Sequence, residues 1–120
     1  MKGKTILIVE DDTISSEFLN EVFTNSDVNL IFAESGEEAI EKVDSGAGID
    51  LVLMDIRLPG MSGHKATREI KKMKPKLPVI AQTAYALEGD RDKALDSGCD
   101  EYISKPIRTS ELYRAINNVL

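Results

Sequence analysis

Apolar residues in this chain fall into short uninterrupted runs that alternate with stretches where they recur every three or four positions. Thr5 to Val9 is continuous and rich in β-branched residues, as expected of a strand covered on both faces. Ile14, Phe18, Leu19, Val22 and Phe23 then follow helical spacing, with Asp12 or Thr13 able to cap the helix. Asn29 to Ala33 reads as a second strand. Ser35-Gly36-Glu37-Glu38 after it has the capping-box form and leads into a helix with Ala39, Ile40 and Val43 inward, ended by Gly46 and Gly48. A third run, Leu51 to Met54, is followed by a loop marked by Pro59, Gly60 and Gly63. The next helix carries Ala66, Ile70 and Met73 and stops before Pro75. Pro78 opens a fourth strand through Val79, Ile80 and Ala81. A less apolar helix spans roughly Leu87 to Ser97 and breaks at Gly98. Glu101 to Ser104 is the last strand, Pro106 blocks its continuation, and Leu112, Ala115, Ile116, Val119 and Leu120 form the inner face of a final helix.

Five strand-helix pairs in 120 residues predict an α/β fold, a doubly wound parallel sheet with helices on both faces, because right-handed crossovers leave little alternative. Residues 1–120 are expected to form a single domain, burying about two thirds of the surface that the unfolded chain exposes. No solenoid repeat, low-complexity tract or linker-like composition shift interrupts them.

Composition narrows the possible roles. The formal net charge of −6 argues against direct nucleic-acid binding through a basic face and against lying on an anionic membrane. Lys2 and Lys4 lead straight into a strand-like run, with no signal peptide and no apolar stretch of about 18 residues, so a cytoplasmic location is expected. The single cysteine, Cys99, excludes an internal disulfide and reads as a small buried residue; one Cys and one His cannot furnish a zinc site. The Lys71, Lys72, Lys74 and Lys76 cluster reads as a solvated helix end.

Chemistry enters where the apolar runs stop. Glu10 and Asp11 follow the first strand, Asp55 the third, Thr83 the fourth and Lys105 the fifth. Parallel strands would bring all of them to the carboxyl edge of the sheet, where open α/β folds bind ligands. Three carboxylates there would repel unless a cation lay among them, and Mg²⁺ prefers such oxygen ligands. An aspartate at a strand end can act as a nucleophile on phosphorus, with Lys105 as a point charge for a phosphoryl oxygen and Thr83 as a hydroxyl donor to another. Singly, each residue also fits a turn or helix-cap role; their convergence from different strands favours a phosphoryl site.

The segments ILIVEDD, LVLMDIRLPGMSG, PVIAQTA and YISKP, with their spacing, resemble the CheY-like receiver domain of two-component response regulators over nearly the whole chain. The resemblance implies a flavodoxin-like (βα)5 sheet of strand order 2-1-3-4-5. It implies that Asp55 is the phosphoacceptor forming 4-aspartylphosphate, and that Glu10, Asp11, Asp55 and the backbone carbonyl of Arg57 hold Mg²⁺. It further assigns Thr83 as the switch hydroxyl, Lys105 as the phosphate-binding lysine, Tyr102 as the aromatic that moves inward on activation, and Pro106 as a cis proline. Glu10 stands where the family often has Asp. Arg57 and Tyr85 match positions that tune the phosphoryl lifetime, while His64, Met54 and Met61 carry no expected catalytic role.

The expected function is that of a phosphoacceptor in a phosphorelay. A histidine kinase or histidine phosphotransfer domain would donate the group, and an output protein or second copy would bind the face formed by the fourth helix, fifth strand and fifth helix. Such a chain is not an enzyme acting on a separate substrate; it promotes only its own phosphorylation and slow dephosphorylation. Segments around Gln82 and Leu58 resemble receivers of hybrid sensor kinases, so a stand-alone regulator and a piece of a longer protein both fit. An aspartyl-nucleophile phosphatase is the alternative, although Asp55-Ile56-Arg57 lacks its second acid; a receiver used only for binding is another. A flavodoxin-type cofactor binder shares the topology, but Asp11-Asp12-Thr13 is acidic where a flavin phosphate needs donors.

Overall fold

A computed structural model describes residues 2–83 and 90–120. Among these, five strands and five helices alternate along the chain: β1 (Thr5–Val9), α1 (Thr13–Val22), β2 (Asn29–Ala33), α2 (Gly36–Asp44), β3 (Leu51–Asp55), α3 (Gly63–Met73), β4 (Val79–Thr83), α4 (Asp90–Asp96), β5 (Glu101–Ser104) and α5 (Thr109–Val119). The strands form one parallel sheet in the order β2-β1-β3-β4-β5, as the sequence resemblance implies. No helix among the described residues is long and apolar enough to cross a membrane.

Side-chain alternation divides the core in two. Leu7, Val9, Val52, Met54, Val79 and Ala81 pack with Ala39 and Val43 of α2, Ala66 and Ile70 of α3 and Ala94 of α4. Ile6, Ile8, Leu51, Leu53, Ile80 and Ile103 face the other way, onto Leu19 of α1, Phe23 just past its end, and Leu112, Ala115 and Ile116 of α5. β1, β3 and β4 lie inside the sheet, and all of their residues except Thr5 are buried. Truncating Leu53 or Ile8 to Ala would cost about 2–5 kcal/mol in transfer and cavity terms.

The helix starts follow the expected capping. Asp12 caps α1 through bonds from the Ser15 amide at 3.2 Å and hydroxyl at 2.8 Å, which hold its carboxyl below the usual carboxylate range. Ser35 accepts from the Glu38 amide, but the Glu38 carboxylate reaches past the cap to the Glu34 amide, at 2.8 Å. The return arm of the capping box is thereby displaced one residue outward.

Several expectations need correction. Ile14 and Phe18 are 76% and 42% exposed, so α1 buries only Leu19 fully, with Phe23 buried just past its end. The five apolar positions from Ile14 to Phe23 span about 180° of the helix circumference, more than one sheet face covers. Leu120, assigned to the inner face of the last helix, is exposed beyond its end. β3 and β4 each run farther than expected, so Asp55 and Thr83 belong to the strands themselves. The expected start of the fourth helix at Leu87 lies outside the described residues.

The amino edge of the sheet is closed by acids. Asp50 Oδ2 accepts from the first amide of β1, on Thr5, and Asp100 Oδ2 from the first amide of β4, on Val79, both at 2.9 Å. Lys71 is no solvated lysine: its ammonium donates to Asp100 Oδ2 and to the Leu77 carbonyl, each at 2.7 Å. It ties α3 to the starts of β4 and β5.

Candidate functional site

Glu10 and Lys105 prolong the ladders of β1 and β5 by one residue each, through Glu10 N to Ala33 O at 2.9 Å and Lys105 N to Thr83 O at 2.7 Å. Continued alternation places Glu10, Asp55 and Lys105 on the face of Ile8, Leu53 and Ile103, their second neighbours toward the amino edge. The ammonium of Lys105 lies 2.5 Å from Glu10 Oε1 and 3.4 Å from Asp55 Oδ2. The Lys105–Pro106 peptide bond is cis, as the resemblance implies.

Three acids predicted to converge do so. Carboxylate oxygens of Glu10, Asp11 and Asp55 lie within 4.8 Å of one another; Glu10 and Asp55 are buried and Asp11 is exposed. Burial pushes the Glu10 carboxyl above the usual carboxylate range, and neighbouring Asp55 adds to this while Lys105 opposes it. Burial alone would lower the Lys105 ammonium, but the hydrogen bond to Glu10 and the charge of Asp55 outweigh it, so its pKa is raised. Oxygen donors with residual negative charge and one open side form a set that suits a hard divalent cation.

The loop after β3 folds back over the acceptor. Arg57, itself exposed, donates its backbone N–H to Asp55 Oδ1 at 3.1 Å, and Gly63 N bonds Ile56 O at 3.0 Å. Gly63, read from sequence only as a loop marker, has a sharper role. A Cβ there would lie 2.2 Å from Asp55 O and 2.7 Å from the Ile56 Cα, so only glycine allows α3 to begin so near the acceptor.

Thr83 is fully buried at the end of β4. Tyr102 is half-buried and packs against the α2–α3–α4 cluster, paired in register with Ala81, two residues before Thr83. Tyr85 lies outside the described residues. His64 lines a cleft of about 240 Å³ with Ser62, Lys93 and the two residues that follow the acceptor, Ile56 and Arg57. Cys99 is buried as expected; burial raises its thiol pKa, and it lies 3.8 Å from both Thr67 Oγ1 and Ser97 Oγ. Gln82, given no site role from sequence, pairs in register with Asp55 and is wholly buried.

Comparison with known proteins agrees with this arrangement. Residues 6–117 match the family model described as "Response regulator receiver domain". A hybrid signal transduction histidine kinase from Dictyostelium discoideum is 34% identical over 98% of this chain, which spans only 7% of that relative. The polar-differentiation response regulator DivK of Brucella ovis is 35% identical, and the match covers 98% of this chain and 96% of DivK. Among solved structures, the receiver domain of a sensor histidine kinase from Pseudomonas aeruginosa PAO1, crystallised with magnesium in its active-site cleft, superposes with a TM-score of 0.88 at 33% identity. That superposition covers 98% of this chain and 97% of the other. With the motif spacing, the strand order and the converging acids all in agreement, the chain belongs to the response regulator receiver domain family of two-component signalling.

Proposed function

We propose that this chain accepts a phosphoryl group on Asp55 from a phosphohistidine of a histidine kinase or histidine phosphotransfer domain, or from a small phosphodonor. The observation that carries this reading is the buried Asp55 carboxylate, with Lys105 3.4 Å away and two further acids converging beside it. A carboxylate oxygen of Asp55 forms the new P–O bond as the donor P–N bond breaks, and the electron pair returns to the donor imidazole. Lys105 offsets charge on a phosphoryl oxygen, and Thr83 donates to another. Glu10, Asp11, Asp55 and the Arg57 carbonyl would hold Mg²⁺, which when bound offsets the repulsion between carboxylate and phosphoryl oxygens. Slow hydrolysis restores the carboxylate, so the protein is its own substrate and no enzyme in the usual sense.

The donor must pass close to Lys105, which also lines a cleft of about 320 Å³ with Ile14, Ser15, Phe18, Pro106 and Ile107. The exposed Ile14 and Phe18 therefore suit a donor helix laid along α1, with its histidine directed at Asp55. For output, the added charge draws the Thr83 hydroxyl toward the phosphoryl group and Tyr102 moves inward after it, altering the α4–β5–α5 face where an output protein or second copy binds. Leu95 of α4 is 42% exposed, and Glu101 at the start of β5 faces Arg114 of α5 across 3.7 Å. A cytoplasmic location suits such a relay.

The test is intact mass after incubation with acetyl phosphate and Mg²⁺. One added phosphoryl group is expected, with none in Asp55→Asn. Equal labelling of the variant would overturn the assignment. No labelling of the parent by any donor would favour a binding-only receiver, and turnover of a phosphomonoester would favour a phosphatase.

A further inference from the structure

Gln82 is 0% exposed, yet neither its amide oxygen nor its amide nitrogen has a hydrogen-bond partner among the described residues. Buried amides are seldom left unpaired, because the group has given up water for nothing in return. Its position is informative. Gln82 pairs with Asp55 on β3 and with Ile103 on β5, two residues before Lys105. Side-chain alternation puts Gln82 on the same face as Asp55 and Lys105, above Ile80. Its carbonyl also holds the acceptor strand, receiving the Ile56 N–H at 3.0 Å. On the same face at the end of the neighbouring strand, Lys105 has three N–H donors, and two of them are directed to Glu10 and Asp55.

We infer that Gln82 is a positioning residue for Lys105, its amide oxygen accepting the third ammonium N–H when Lys105 moves from Glu10 onto the phosphoryl group of Asp55. The unphosphorylated state leaves the amide oxygen unpaired, and the phosphorylated state satisfies it. The difference in pairing biases the domain toward the phosphorylated arrangement. This inference rests on the proposed role of Asp55.

The test compares the parent with Gln82→Met, of similar length and without polar atoms, and with Gln82→Leu as a second apolar shape. Each protein is labelled with acetyl phosphate and Mg²⁺ and followed by intact mass, and its melting temperature is measured with and without beryllofluoride and Mg²⁺. Both variants are expected to melt no lower than the parent when unliganded. They should label about tenfold more slowly, the worth of one hydrogen bond to a charged group, and gain less melting temperature on beryllofluoride binding. A role in core packing alone would change the unliganded melting temperature and leave both the labelling rate and the beryllofluoride shift as in the parent. That result would overturn the inference while leaving Asp55 as acceptor, as would a variant that does not fold while the other labels at the parent rate. A parent that does not label would overturn both.

Discussion

Lys105 and Glu10, 95 residues apart in the chain, meet at 2.5 Å at the carboxyl edge of the sheet. Both are shielded, with side chains 19% and 1% exposed, so the pair is only weakly screened by solvent. The lysine is thus held nearer to Glu10 than to the acceptor. Its raised pKa means that its stabilising contribution is complete below the ordinary lysine value of about 10.4, and is lost as pH rises through the folded-state value above it. Lys105→Met removes this contribution and leaves two buried acids facing each other, for a cost of about 1–3 kcal/mol at neutral pH. Denaturant titrations should find the variant's deficit shrinking as pH falls toward the carboxylate range and the acids take up protons. A deficit independent of pH would mean that packing alone accounts for it.

Asp11 is the exposed member of the acid cluster, so losing its carboxylate disturbs the fold least. Asp11→Ala should weaken Mg²⁺ affinity by about tenfold or more while leaving the melting temperature without Mg²⁺ nearly unchanged. Calorimetric titration of parent and variant measures this, and equal affinities would move the metal away from Asp11.

Gly63→Ala forces a methyl group onto the backbone of Asp55 and Ile56. Rearrangement of the loop before α3 is expected to cost about 1–3 kcal/mol in urea unfolding, with phosphorylation slowed because the acceptor's own backbone shifts. Alanine tolerated at that position with parent stability and labelling would contradict the close approach.

Thr83→Ala should still accept phosphate, since Asp55 and Lys105 are untouched, but should weaken the coupling to Tyr102. Tyrosine fluorescence and partner binding, measured with and without beryllofluoride, are expected to differ less than in the parent. An unchanged difference would remove Thr83 from the switch.

Cys99 is expected to react with a thiol reagent far more slowly in the folded protein than in urea, because burial both blocks access and holds the thiol protonated. Its raised pKa makes folding less favourable as pH climbs above the ordinary thiol value of about 8.5. Rapid labelling of the native protein would indicate local opening around Ser97 and Thr67.

The strands and the acid edge were legible because both rest on local signals. Uninterrupted apolar runs name the buried strands, and the polar or charged residues that follow them name the edge. The capping residues Asp12 and Ser35 were legible for the same reason. What escaped depends on neighbours distant in sequence. Periodicity marks Ile14 and Phe18 as apolar but cannot say that the sheet is too narrow to cover them. Lys71 looks like its neighbouring lysines until Asp100 and Leu77 arrive beside it. Gly63 differs from an ordinary loop glycine only through the backbone of Asp55. Gln82 stands out only against its position: an amide in a five-residue strand that is otherwise buried to the last atom is a local anomaly, and it was the available clue.

The alternation that lines up Glu10, Asp55 and Lys105 also restricts how the gene can change. Each of these residues lies two positions past a core residue of its own strand, so losing or gaining a single codon within β1, β3 or β5 would turn the functional group to the opposite face and a core residue to the edge. Insertions are better borne at the amino edge, for example around Gly46 and Gly48, both at positive φ with open space around them. Length variation among homologues should therefore gather at that end of the molecule, while the spacing inside the strands stays constant even where the residues themselves differ.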